Sequence, residues 1–305
     1  MNGSLDLWET PAAEETYLIA GWEQWADAGE VSSGLPRYLV DHLAARKIGQ
    51  IKPQGFYMFQ VPGTHHFLRP EVKLEAGYRK ELTRRTNEFH YAESAGKGLV
   101  IFRGEEPHVN VEGYADAFFD AVQALGVRRV LALGGVYGAV PFDQDRQVGC
   151  SYSLPRLKEE LEPYALTFSD YEGGVSIGTY LADEAERRGI EYVAWYAFVP
   201  AYDYSPHPDQ YQGVRIENDA RAWHELMRRL NYMFGLAVDL SDLRQRSQEL
   251  VGAMQEKITE LERELTQYDV KKYMARVAHD FNETPFLALD DMWERELGDL
   301  FGGGA

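Results

Sequence analysis

The run Thr16-Tyr17-Leu18-Ile19-Ala20-Gly21-Trp22 decides the fold class. It is short, apolar and rich in β-formers, and lacks the polar alternation of a strand with one wet face. It reads as a strand buried on both faces of a parallel sheet. The turn-like Glu23-Gln24-Trp25-Ala26-Asp27-Ala28-Gly29 comes next, and Leu35, Leu39, Val40 and Leu43 then recur at helical spacing. The unit is β-loop-α.

The same alternation continues outward. Leu99-Val100-Ile101-Phe102 is a second buried-type strand, ending at Arg103-Gly104-Glu105-Glu106-Pro107, and Tyr114, Phe118, Phe119, Val122 and Leu125 form a helical stripe stopped by Gly126. Arg129 to Val136 is a strand running into Gly134-Gly135 and a loop around Pro141. Ala165 to Phe168 is a shorter strand, Gly174 to Arg188 a helix stopped by Gly189, Tyr192 to Val199 a strand, and Trp223 to Leu236 a helix. Phe56 to Val61 reads as a strand as well, with residues 62–95 as an excursion at the sheet edge. Strands separated by helices predict an α/β fold: a mixed, mostly parallel sheet with helices on both faces. It is expected to occupy residues 1–236 and to fold without the C-terminal remainder of the chain.

Residues 237–305 differ in character. Leu240, Leu243, Ser247, Leu250, Met254, Ile258, Leu261, Leu265 and Tyr268 step by three and four, a coiled-coil-like seam. A single helix of about 29 residues would be roughly 43 Å long. Leu250, Met254, Ile258, Leu261 and Leu265, with Trp293 and Phe301 of the acidic, apolar tail, are the candidates for an arm that binds a partner or a second copy. The alternative is that the amphipathic stretch at Val270, Tyr273, Met274, Val277 and Phe281 folds back on the seam.

Composition narrows the function. With 49 acidic against 31 basic side chains the chain carries a formal charge of −18, which repels phosphate backbones and anionic lipid heads, so neither nucleic acid nor membrane is expected as a partner. One cysteine, Cys150, excludes an intramolecular disulfide and a multi-cysteine metal site. No secretory signal or membrane span is recognisable, so a cytoplasmic location is expected.

Several constellations invite a chemical reading. Gly174-Val175-Ser176-Ile177-Gly178 has the letters of a nucleophile elbow, but five residues separate it from the strand ending at Phe168, so Ser176 is expected within the first helical turns. His65-His66 is a poor chelate, and no metal or cofactor is expected. Glu105 and Glu106 lie just past a strand's carboxyl end, where open α/β sheets place their crevice; they are either a catalytic dyad or solvated loop charges. Gly134-Gly135 and Gly173-Gly174 offer backbone N–H groups to an anion or serve close packing, and neither matches a nucleotide fingerprint. Trp22, Trp25, Asp27 and Gly29 would line a ligand pocket, a protein interface or the core.

Taken in order, Leu18-Ile19-Ala20-Gly21-Trp22 with Asp27-Ala28-Gly29, Gly104-Glu105-Glu106-Pro107, Val130-Leu131-Ala132-Leu133-Gly134-Gly135, Gly173-Gly174 and Ala197-Phe198-Val199-Pro200-Ala201-Tyr202 resemble the proteasome assembly chaperone family over about residues 16–235. The region of Leu261-Glu262-Arg263-Glu264 and Tyr268-Asp269 resembles the extension of its bacterial, actinobacterial-type branch. The resemblance implies a phosphorylase- or hydrolase-like core, homo-oligomers, and protein partners such as proteasome subunits. Relatives that dock on proteasomes often end in a hydrophobic residue, a tyrosine and one more residue. This sequence ends Gly302-Gly303-Gly304-Ala305, which argues against docking through the tail. The expectation is therefore a homo-oligomeric, protein-binding scaffold or assembly chaperone without evident catalysis; the alternative is a nucleoside- or anion-binding enzyme.

Overall fold

The computed structural model describes residues 3–23, 25–60, 69–204, 213–282 and Phe286. In chain order these form β1 (Leu5–Leu7), β2 (Thr16–Glu23), α1 (Gly34–His42), β3 (Arg46–Ile51), β4 (Val72–Glu75), β5 (Tyr78–Leu82), β6 (Glu88–Ser94), β7 (Lys97–Glu105) and α2 (Val111–Ala124). Then come β8 (Val127–Gly138), β9 (Val148–Tyr152), α3 (Leu157–Leu161), β10 (Thr167–Phe168), α4 (Ile177–Arg188), β11 (Glu191–Asp203), β12 (Gly213–Arg215), α5 (Ala220–Phe234), α6 (Ser241–Glu264) and α7 (Val270–Asp280).

The main sheet has the order β1-β3-β6-β7-β2-β8-β11-β9-β10, with β12 paired to β11, while β4 and β5 form a separate hairpin. Its four central strands, β7, β2, β8 and β11, are parallel. The margins are antiparallel, apart from β9 and β10. This is the mixed α/β sheet the alternation predicts.

Because successive strand residues face opposite ways, each central strand feeds two cores. Tyr17 and Ile19, Leu131 and Leu133, and Val193 and Trp195 face one side, beneath Leu35 and Leu39 of α1 and Trp223, Leu226 and Leu230 of α5. Leu18, Ala20 and Trp22, Val130, and Tyr192 face the other, beneath Tyr114, Phe118 and Phe119 of α2 and Leu181 of α4. Burial on both sides explains why these strands carry unbroken apolar runs. Among the described residues no helix is long and apolar enough to cross a membrane.

Four expectations are corrected. Residues 56–60 form no strand. Gly55 turns the chain with φ +89°, Phe56 drops into the core edge-on to Tyr114 with ring centroids 5.4 Å apart, and the strand lies earlier, at Arg46–Ile51. Val61 lies outside the described residues. The strand expected from Ala165 shrinks to Thr167–Phe168 because Ala165 is left-handed, φ +51°. Helix α4 begins at Ile177, not Gly174, and Ser176 is its cap, accepting from the Thr179 N–H at 3.4 Å.

The long seam is divided as well. Helix α6 has 24 residues and stops at Glu264, so Leu265 and Tyr268 lie in the connection to α7, where Asp269 caps the next helix by accepting from Lys272 N at 3.0 Å. Met254, Ile258 and Leu261 are buried in the cluster that contains α5, and Leu250 and Leu265 pack partly against it. Tyr38 of α1 donates to Asp242 at 2.7 Å, and the Arg246 guanidinium lies 5.3 Å from the Trp223 ring. Helix α7 contacts α6 and buries Val270 and Val277, the fold-back arrangement that the sequence left open. Beyond it Phe286 is seated against Tyr164 and the Arg229 guanidinium. Trp293 and Phe301 lie outside the described residues, as do His65 and His66.

Candidate functional site

The four parallel strands end at one edge, and the loop after β2 crosses the end of β8. Asp27 bridges to Gly135, whose N–H donates to Ala26 O at 2.8 Å. The approach is too close for a side chain: a β-carbon on Gly135 would lie 1.9 Å from Ala28 O. Asp27 Oδ1 accepts from the N–H groups of Ser32 (2.9 Å) and Ser33 (2.8 Å). Ser32 Oγ accepts from Trp22 N at 2.8 Å and donates to Leu133 O at 2.7 Å. Gly29, at φ +66°, turns its carbonyl toward α5, where it accepts from Asp219 N (2.9 Å) and Trp223 Nε1 (3.2 Å).

Beneath this loop sits a fully buried ion pair. Arg146 Nε donates to Asp219 Oδ2 at 2.8 Å, both side chains being 0% exposed, and Arg146 Nη1 donates to the carbonyls of Pro141, Phe142 and Gln144. Asp219 also caps α5, with Oδ1 accepting from Ala222 N at 3.0 Å. One carboxylate thus ties the loop after β8 and the start of α5 to each other, and its backbone N–H holds the loop after β2.

The three aromatic and acidic candidates of that loop diverge. Trp22 is buried in the second core, its Nε1 donating to Tyr114 Oη at 2.9 Å, and Tyr114 donates to Asn87 Oδ1 at 2.9 Å. Trp25 is 72% exposed. It borders a depression of about 270 Å³ with Asp27, Gly135, Val136 and Tyr137. Asp27 serves the backbone. Trp25 and Asp27 thus share one shallow depression, from which Trp22 is separated by its burial in the core.

Glu105 and Glu106 also part company. Glu105 pairs with Arg85, and its carbonyl oxygen lies 2.7 Å from the Tyr57 hydroxyl. Glu106 accepts from Ile177 N at 3.0 Å, at the start of α4. Burial pushes both carboxyls up, against Arg85 in the first case and the Ile177 N–H in the second. With separate partners they do not form a proton-sharing dyad. Gly134 passes beside the Tyr196 ring, and Gly173 and Gly174 precede α4 without opening it. Ser176 caps its helix, and its Oγ lies 3.0 Å from the Tyr196 hydroxyl, whose pKa burial pushes up, so that the phenol keeps its proton. Burial pushes the Cys150 thiol up to about 12, so it is not a ready nucleophile. Among the described residues no group of three or more His, Cys, Asp or Glu side chains could hold a metal.

Asp27 gives a direct test of this reading. Burial raises its carboxyl above the ordinary range despite the Ser33 and Ser32 donors, with Glu23 adding to the rise. A raised native pKa means that the native state favours the neutral form, so the associated stability is lost as pH rises through that pKa. Asp27→Asn, which keeps an accepting oxygen, is therefore expected to match or exceed the parent's stability at pH 7. Asp27→Ala, which strands two N–H groups, is expected to lose about 1–3 kcal/mol. Urea unfolding at pH 5 and pH 8 reads both.

Sequence reasoning missed Arg146, Asp219, Ser32 and Asn87. Asp219 was discoverable as an Asp directly before an apolar-periodic helix. The others join segments remote in sequence and carry no local signal.

The four parallel central strands, flanked by antiparallel margins and covered by helices on both faces, define a mixed α/β fold. The chain belongs to the PAC2 family, whose model matches residues 21–258. It is similar to a PAC2 family protein from Streptomyces avermitilis, at 23% identity and TM-score 0.68 over 85% of this chain and 99% of that one. It is also similar to the proteasome-assembly chaperone homologue of Mycobacterium tuberculosis, at 22% identity and TM-score 0.68 over 80% and 96%. The archaeal proteasome activator of Pyrococcus furiosus matches at 18% identity and TM-score 0.58 over 83% and 97%. No curated protein matches.

Proposed function

We propose that this chain is a homo-oligomeric, protein-binding scaffold or assembly chaperone of the cytoplasm, with proteasome subunits as the first class of partner to test. The observation that carries the reading is the state of the carboxyl edge. Asp27, Glu105, Glu106 and Ser176 are each engaged by the chain's own groups, whereas Trp25, Tyr137, Tyr171 and Val175 stand 72%, 40%, 69% and 58% exposed around them. Exposed aromatic side chains near a polar rim suit a protein contact better than small-molecule turnover. Family membership and the chaperone and activator relatives support the same role. In this reading residues 1–236 present the contact surface, and the segment after them braces α5 and carries the apolar, acidic tail.

The test is quantitative capture from a lysate of the native host, using the full chain and a Trp25→Glu/Tyr171→Glu variant of unchanged melting temperature. Proteasome subunits or another recurrent assembly are expected on the parent and reduced at least about tenfold on the variant. No recurrent protein, or binding of nucleosides or phosphate with turnover that Asp27→Ala abolishes, would overturn the proposal.

A further inference from the structure

Phe286 is 2% exposed, yet it belongs to neither hydrophobic core. Its ring lies among aromatic and cationic groups of α5 and of the turn before β10. The Arg229 guanidinium sits over it at 4.9 Å and that of Arg228 at 5.7 Å. Tyr164 stacks on it with centroids 6.2 Å apart, and Tyr232 meets it edge-on at 5.9 Å. Arg228 also donates to the Phe286 carbonyl oxygen at 3.1 Å, which no helix claims. Side chain and backbone are both held.

The walls of this slot hold one another without that ring. Arg229, 1% exposed, donates through Nε to Tyr164 O at 3.0 Å, and through Nη1 to Glu225 O at 2.9 Å and Glu225 Oε2 at 3.1 Å. Acceptors in the plane of a guanidinium fix its orientation and leave its flat faces for stacking. Arg228 reaches the same Glu225 carboxylate at 3.3 Å. Tyr164 is placed in turn by Trp195 of the sheet, 6.1 Å away, and by Tyr232, 5.8 Å away. None of these contacts involves residue 286, so the shape of the slot does not depend on its occupant. A buried ion pair is often no more stabilising than apolar side chains of equal volume. What Arg229 supplies in place of an apolar filler is a rigid cationic surface that an aromatic ring covers. The slot also borders solvent, since Tyr232 is 45% exposed. A ring bound there can leave without opening either core.

We propose that Tyr164, Arg228, Arg229 and Tyr232 form a receptor for one phenylalanine and its carbonyl oxygen, which the chain fills with its own Phe286 as a releasable anchor. Seated, Phe286 fixes beside α5 the point from which residues 287–305 begin. Released, it frees them and the slot together. The ligand class is a peptide bearing a phenylalanine whose carbonyl is not tied up in a helix. This is independent of the partner proposed above.

Two measurements on full chains test it. Chymotrypsin cuts the Phe286–Leu287 bond only after taking the ring into its own apolar pocket, so the rate at that bond counts unseated chains. Tyr232→Ala removes one exposed wall and is expected to raise this rate at least about fivefold at an unchanged melting temperature. Cleavage of the parent as fast as of Tyr232→Ala overturns the anchor, and this arm needs no change at residue 286 itself. The second measurement titrates a peptide copying residues 282–290 into the millimolar range and follows the Arg228 and Arg229 Nε–H signals by NMR. A slot filled in about nine chains of ten weakens a competing peptide about tenfold. The peptide is therefore expected to shift both signals in Phe286→Ala and to need at least about tenfold more in the parent. The same peptide with alanine at position 286 is expected to shift neither. Shifts alike in both chains, shifts in neither, or equal shifts from the alanine peptide would overturn the receptor.

Discussion

Asp219→Ala is expected to lower unfolding free energy by about 3–5 kcal/mol, because removing one member of a buried ion pair leaves the other charged and unsolvated. Arg146 would keep its three carbonyl acceptors but lose its counter-charge, at a site where both side chains are 0% exposed. The substitution also removes the α5 cap, itself worth about 1 kcal/mol. Asp219→Asn, which retains a capping oxygen, should recover that smaller part only. A paired replacement, Arg146→Met/Asp219→Leu, should cost less than Asp219→Ala alone, since no charge is then stranded. Urea midpoints for the four proteins check the order. A loss below 1 kcal/mol for Asp219→Ala would show that the pair does not hold the two loops.

Gly135→Ala is expected to be strongly damaging although it adds a single methyl at the carboxyl edge. Its β-carbon would meet Ala28 O at 1.9 Å, and the backbone on both sides is held by the Gly135 N–H to Ala26 O bond and by β8. The loop after β2 must move, with overpacking of about 1–3 kcal/mol and loss of a hydrogen bond worth about 1 kcal/mol. Gly174→Ala is the matched control, because a β-carbon there has nothing within 4 Å. Amide exchange should locate the damage: protection of Ser32 and Ser33, whose N–H groups depend on Asp27, falls in Gly135→Ala and is unchanged in Gly174→Ala. Equal protection in both would mean that the loop is not seated by Gly135.

These two sites bound what the sequence could reveal. The central strands are legible because burial on both faces demands unbroken apolar runs, and α2 and α5 because one buried face imposes a period near 3.6. Strand β3, Arg-Lys-Ile-Gly-Gln-Ile, is polar at alternate positions near the sheet margin, and β9, five residues around Cys150, is short; neither stands out in the sequence. Phe56 reads as strand because burial in a turn and burial in a strand leave the same apolar letter. At the carboxyl edge chain order sets Glu105 and Glu106 at the end of β7 and Gly134-Gly135 near the end of β8, whereas Gly173-Gly174, read as a helix start, stand ahead of α4. It does not say what each side chain meets. Arg146 and Asp219 are 73 residues apart, and nothing local to either announces the other.

The contact between Glu106 and the first amide of α4 has a wider consequence. In many α/β sheets this place, a helix beginning beside the strand ends, is where a substrate's phosphate is received. Here the chain inserts its own carboxylate, so the anion is a permanent, covalently attached resident. A diffusing phosphate would have to displace a tethered competitor that is always present and that also repels it. The place at the start of α4 is thereby filled by the chain itself, a plug made of the same polymer as the socket.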